Sequence, residues 1–202
     1  MAYTRIGVSN FHYAIMTTEE TLTTPPTYAT PISAPGLMSA NINPNASIDT
    51  LFYDDGPGET AATIGQIEVE IQKNALSTSD KATLLGKTVD TKGGLVSSDT
   101  DVPPWVAIGF KSLKSNGKYR FVWLYKGKFS DPEDNNETKG DSINWQSETI
   151  TGNFVKLMYE YTSGTKKIRP WKYEMDEEDQ AATAATMNAW FNAVVMPTLG
   201  TS

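Results

Sequence analysis

The stretch FKSLKSNGKYRFVWLYKGKF, residues 110–129, reads as two strands joined at Asn116-Gly117. Asn-Gly is the preferred pair for a two-residue type I′ turn, because both central positions need positive φ. A turn at that point predicts Ser115 facing Lys118, Phe110 opposite Trp123 and Ile108 opposite Tyr125. One face of the ribbon then carries Val106, Ile108, Phe110, Tyr119, Phe121, Trp123 and Tyr125. Such an alternating row reads as core rather than as a platform of exposed rings. The other face carries Ala107, Gly109, Lys111, Leu113, Arg120, Val122, Leu124 and Lys126, small or amphipathic residues suited to a helix or a neighbouring subunit. The same stretch holds Lys111, Lys114, Lys118, Arg120, Lys126 and Lys128 without one acid, in a chain whose net charge is -7.

Charge is laid out unevenly elsewhere too. Residues 1–60 hold Glu19, Glu20, Asp49, Asp54, Asp55 and Glu59 against the single base Arg5. Complementary patches on different faces would steer identical copies into rings or stacks, and two solvated faces would give the same pattern. The 202 residues suffice for a substantial core, and 39% apolar with 20% charged residues is the composition of an ordinary globular chain. Cys is absent, which excludes a disulfide framework and thiolate metal sites and suits assembly in a reducing cytosol. The N-terminal MAYTRIGVSNF has no apolar core of a signal peptide, and the longest apolar run is strand-sized, WVAIGF, so neither export nor a membrane span is expected. Overall acidity argues against a general nucleic-acid binder.

Outward from the hairpin, strands dominate. IGQIEVEIQ alternates, placing Ile67, Val69 and Ile71 on one face and Gln66, Glu68, Glu70 and Gln72 on the other. GLMSANINP and ASIDTLFY read as short strands broken at Asn43-Pro44-Asn45, DDGPGE as a turn, and INWQSETITGNFVKLMYEY as one long or two shorter strands. Four prolines in TLTTPPTYATPISAPG predict an extended arm over 21–36. Ser77 with Asp80 three residues on makes a capping-box-like start to a short helix carrying Leu84 and Leu85 and ended by Gly86. The Ala-rich segment after DEED predicts a second helix near 177–195 with acids at its N-terminus.

Catalytic groupings are scarce. His12 stands alone in SNFHYAI, so Ser-His-Asp, Cys-His and multi-histidine metal arrangements lack their parts. DPEDNNETKGD alternates oxygen ligands but has Asn136 where a calcium loop needs Gly and Ser142 where it needs Glu. No phosphate-binding or dinucleotide fingerprint is present.

The ordered succession LFYDDG, LSTSDKATLLG, DVPPWVAIGFKSLKSNGKYRFVWLYKGKF and TKGDSINWQSETITGNF resembles the major tail protein, or tail tube protein, family of long-tailed, non-contractile phages of Gram-positive bacteria. The most specific parts are PPWVAIGF, SNGKYRFVWLYKGKF and TKGDS. The resemblance implies a mainly β chain, a sandwich or barrel-like single domain over 1–202 with one short flanking helix and a C-terminal helical segment. It implies a structural virion protein of the phage tail, not an enzyme, with no cofactor or metal, assembled in the host cytoplasm as stacked hexameric rings that conduct viral DNA. The partners it implies are further copies of the chain, a tape measure protein in the lumen, and terminator and distal tail proteins at the ends. DNA passes without specific binding, and no membrane is engaged. On this expectation Glu68 and Glu70 are candidates to line the lumen, or else belong to a plain solvent face. Inter-subunit contacts are expected from the 21–36 arm, from Asp54, Asp55 and Glu59, and from Asp131, Glu133, Asp134 and Glu137. The basic residues Lys111, Lys114, Lys126 and Lys128 are expected at a subunit contact, meeting acids of a neighbour, or on the outer wall. A receptor- or carbohydrate-binding β-sandwich would share the all-β reading but expose an aromatic platform, and a polysaccharide-degrading enzyme would need converging carboxylates.

Overall fold

The computed structural model describes residues 3–53, 56–133, 138, 145–163, 165–179 and 182–199. Asp54, Asp55, Asp134, Glu137 and all of TKGDS except Thr138 lie outside the described residues. The central hairpin is β10 (Val106–Lys114) and β11 (Tyr119–Phe129), and every other long strand is ordered around it. On one side β10 pairs with β1 (Arg5–Thr18), whose far edge carries the two-residue strands β2 (Thr27–Tyr28) and β3 (Ile32–Ser33). The Pro-rich 21–36 segment therefore runs along β1, its unpaired proline positions alternating with these brief pairings. On the other side β11 divides the sheet. Its first half, Arg120–Leu124, pairs with β15 (Lys172–Asp176), and its second half, Lys126–Phe129, pairs with β12 (Glu148–Val155). Beyond β12 come β7 (Ile67–Lys73) and β4 (Leu37–Asn43), all antiparallel. The resulting nine-stranded, sandwich-like sheet curls so that β4 returns beside β1.

Three smaller pairs stand off this sheet: β5 (Ala46–Tyr53) with β6 (Gly56–Ile64), β8 (Thr88–Val89) with β9 (Leu95–Val96), and β13 (Tyr161–Ser163) with β14 (Lys166–Ile168). The first helix, α1 (Thr78–Leu85), forms where the capping residues place it. The Ser77 hydroxyl oxygen accepts from Asp80 N–H, Gly86 adopts φ 69°, and Leu84 and Leu85 are buried. The C-terminal helix α2 (Ala184–Ala189) is shorter than the sequence suggests and starts at Thr183, not at the acids. Asp176 closes β15 and residues 177–179 form a turn, so DEED serves the sheet instead of a helix N-terminus.

The hairpin differs from its sequence reading by one residue. Of Asn116 and Gly117, only Gly117 has positive φ, at 79°. Its N–H donates to the Lys114 carbonyl, and the Lys114 N–H donates to the Lys118 carbonyl, so the connection is a three-residue loop with a glycine bulge instead of a type I′ pair. Phe110 consequently faces Val122, Gly109 faces Trp123 and Ile108 faces Leu124. A one-residue slip exchanges faces along a strand, and here it separates the expected aromatic row into two cores. Val106, Ile108, Phe110, Val122 and Leu124 join Phe11, Val69, Ile71, Leu84, Ile150 and Phe154 on one side. Phe121, Trp123 and Tyr125 join Met16, Leu157, Met187 and Trp190 on the other, under the C-terminal segment. The sheet is thus covered on both faces. Glycine decides the register: an added Cβ at Gly109 would lie 2.8 Å from the Trp123 ring, and one at Gly127 would lie 2.4 Å from the Phe154 ring.

Candidate assembly surfaces

The alternation in β7 leaves Ile67, Val69 and Ile71 buried and Glu68 and Glu70 exposed. Register sets their neighbours. Glu68 lies between Asn43 of β4 and Asn153 of β12, and Glu70 lies between Asn41 and Thr151. Ser39 and Thr149 flank Gln72, whose amide nitrogen donates to Ser147 at 2.8 Å and whose carbonyl oxygen accepts from the Ser39 hydroxyl at 3.2 Å. The outer face of these three strands is a polar field with two carboxylates at its centre. Lys128, opposite Asn153 on β11, borders it, with its ammonium 4.7 Å from the centroid of the Trp105 ring.

The β5–β6 ribbon departs from the end of β4 and returns into β7, and every residue of β5 is exposed. Cross-strand pairing puts Ala46, Ile48, Ala62 and Ile64 on one face and Ser47, Asp49, Ala61 and Thr63 on the other. Hydroxyl pairs stitch the ribbon, Ser47 to Thr63 at 2.9 Å and Thr50 to Thr60 at 3.1 Å. Phe52 is 69% and Ile48 72% exposed, with Leu51, Tyr53 and Ile64 above half. Glu59 stands exposed near the ribbon's tip.

Within the chain, the basic hairpin has carboxylates of its own. Lys126 lies 3.0 Å from Glu20, whose side chain is fully buried, and 3.3 Å from Glu19; Glu20 also accepts from Met158 N–H. Lys114, 2% exposed, contacts Glu178 and lies 3.5 Å from Asp176. Arg120 makes a two-point contact with Asp176, at 2.7 and 2.9 Å. That guanidinium holds the Asp176 carboxyl below the usual aspartate range, with Lys114 adding to the effect. Glu177 accepts from Tyr119 N–H and Lys118 lies 3.4 Å from it. Lys111 sits over the Tyr119 ring at 4.2 Å. Asp131 pairs with Lys87 at 2.5 Å, and Glu133 is exposed where the described part of that loop ends.

The chain matches the family model for phage tail tube protein over residues 7–198. It belongs to the phage tail tube protein family. No curated protein matches it. For a tail tube protein the working parts are surfaces that meet other copies. His12, the chain's one histidine, stacks on Phe191 at 4.4 Å and shares Nδ1 with the Asn10 carbonyl oxygen at 3.0 Å. Among the described residues no three His, Asp or Glu side chains gather as a metal site, and no helix is long and apolar enough to cross a membrane.

Two features of this tail tube protein were not singled out from sequence. The β5–β6 ribbon was legible as a strand and a turn, and the unused signal was the β-branched Thr60, Thr63 and Ile64 just after the turn, in the strand that gives β5 its partner. The grooves beside Trp171 join residues from distant parts of the chain, and no local pattern announces them.

Proposed function

We propose that this chain builds the wall of a phage tail tube as stacked hexameric rings, forming the conduit for DNA ejection into the host. The β5–β6 ribbon carries the proposal. A ribbon eight residues long reaches about 26 Å, and its Ile48, Leu51, Phe52, Tyr53 and Ile64 are each more than half exposed. Large apolar side chains exposed together on one projecting ribbon suit an interface, and a heterologous contact between identical copies closes into a ring or extends as a stack. The carboxylates Glu68 and Glu70 at the centre of an otherwise neutral polar face suit the lumen, since like charge lowers the attraction of a channel for a passing polyanion.

On this reading a tape measure protein fills the lumen before ejection, terminator and distal tail proteins close the two ends, and assembly takes place in the host cytoplasm. The segments 21–36 and 131–141 supply further contacts between copies. Negative-stain electron microscopy of the purified chain beside a Leu51→Ser, Phe52→Ser, Tyr53→Ser variant tests the proposal. Tubes or six-fold rings from the native chain, and at least tenfold fewer from the variant, support it. Monomers from both, under conditions where the chain is folded and concentrated, contradict it.

A further inference from the structure

Two grooves meet at Trp171. One runs between β1 and β4 and is lined by Val8, Met38, Ala40 and Ile42 with Arg5 and Lys172 at its rim. The other lies at the root of the β5–β6 ribbon, among Ile64, Val155 and Trp171 with Lys156 and Arg169 at its rim. Neither lining includes an acid, in a chain that is acidic overall. Lys172 and Arg169 are held by Glu174 and Glu160, whereas Arg5 and Lys156 have no carboxylate partner among the described residues. Met38 is 56% exposed and Val155 36%. Ser39, Asn41 and Ser112 share the first groove with its apolar side chains, so that floor is mixed, the second is mainly apolar, and both rims are basic.

The β5–β6 ribbon has the opposite character. Its sequence, residues 46–64, contains Asp49, Asp54, Asp55 and Glu59 and no Lys or Arg. Its exposed Leu51, Phe52 and Tyr53, with Asp49 and Glu59, complement the apolar side chains and basic rims of the grooves, and none of these five residues lines either groove, as a head-to-tail contact requires. We infer that the ribbon of one copy docks into the Trp171 grooves of a second copy. The inference rests on the tube reading and deepens it by naming the receiving surface.

A photo-crosslinking amino acid replaces Phe52 in the full chain, and intermolecular crosslinks are mapped by mass spectrometry. Most should fall on peptides containing Met38, Val155, Lys156, Trp171 or Lys172. Crosslinks concentrated elsewhere, or none between copies, overturn the docking site. A charge exchange gives the second measurement. Asp49→Lys with Glu59→Lys, or Arg5→Glu with Lys156→Glu, should each reduce crosslinking and assembly at least tenfold, and the four changes together should restore both to within about threefold. All altered side chains except the partly exposed margins of their backbones are surface groups, and circular dichroism confirms that each variant is folded. Failure of the combined variant to recover overturns the inference. Tubes formed by the native chain with crosslinks outside the grooves would keep the tube reading and discard only this contact.

Discussion

Gly109 shows how a single residue fixes the arrangement of the sheet. The Trp123 ring lies over its backbone, with no room for a Cβ. Gly109→Ala should force the ring off its packing and cost about 1–3 kcal/mol, measured by chemical denaturation; an unchanged midpoint would remove this residue from the account. The buried pair Glu20 with Lys126 is the second such point. Glu20→Ala leaves a buried ammonium with the exposed Glu19 and the Trp105 ring and removes the acceptor of Met158 N–H, at a cost of about 3 kcal/mol. Acid sensitivity belongs at this scale as well. Because Arg120 and Lys114 depress the Asp176 pKa in the folded chain, its contribution to stability is complete above the unfolded aspartate value, about 4. It is lost as pH falls below that value through the folded pKa. Asp176→Asn should be less stable than the native chain near neutrality and should show a flatter decline of melting temperature below about pH 4. Parallel curves would show that the pair has no part in acid unfolding. None of these partners was legible in sequence, because the acids lie 56 or more positions from the bases they meet.

Elements were legible where a local rule decides them and misread where tertiary packing does. The Ser77 cap, Gly86 terminus and alternation of β7 are local patterns, and each stands where the sequence places it. Ser77→Ala should cost about 1 kcal/mol by removing one cap bond. The hairpin turn was misread because Asn-Gly suits two loop geometries, and the choice fell to long-range contacts: the glycine under Trp123 and the need to fill two cores at once. The acids of DEED were misplaced for a related reason. A basic hairpin edge attracts them more strongly than the start of a short helix could. The ribbon β5–β6 has the reverse economy, with little packing to lose beyond the Tyr53 ring over Gly58. Changing Leu51, Phe52 and Tyr53 to Ser should leave monomer stability within about 0.5 kcal/mol while reducing assembly, a separation that a folding defect would not produce.

At the scale of the whole molecule, the parts divide by charge and by cover. The hairpin's bases have carboxylate or ring partners within the chain, the ribbon's large apolar side chains are more than half exposed, and the polar face of β4, β7 and β12 carries only carboxylates as its central charges. Those three conditions describe a subunit that is complete inside and unfinished outside. Sequence gave access to the first acidic face and to the family; the receiving grooves depend on how β1, β4 and the Arg169–Lys172 segment converge. If Glu68 and Glu70 line the channel, reversing both to Lys should leave tubes intact but slow DNA ejection from virions carrying the variant, and unchanged ejection kinetics would assign them to the outer wall. The most direct test is cryo-electron microscopy of the purified chain at assembling concentration. The account predicts a hollow tube of six-fold rings, with the β5–β6 ribbon seated on a neighbouring copy and Glu68 and Glu70 facing the channel. A folded chain that stays monomeric, or a tube in which the ribbon projects into solvent, would contradict it.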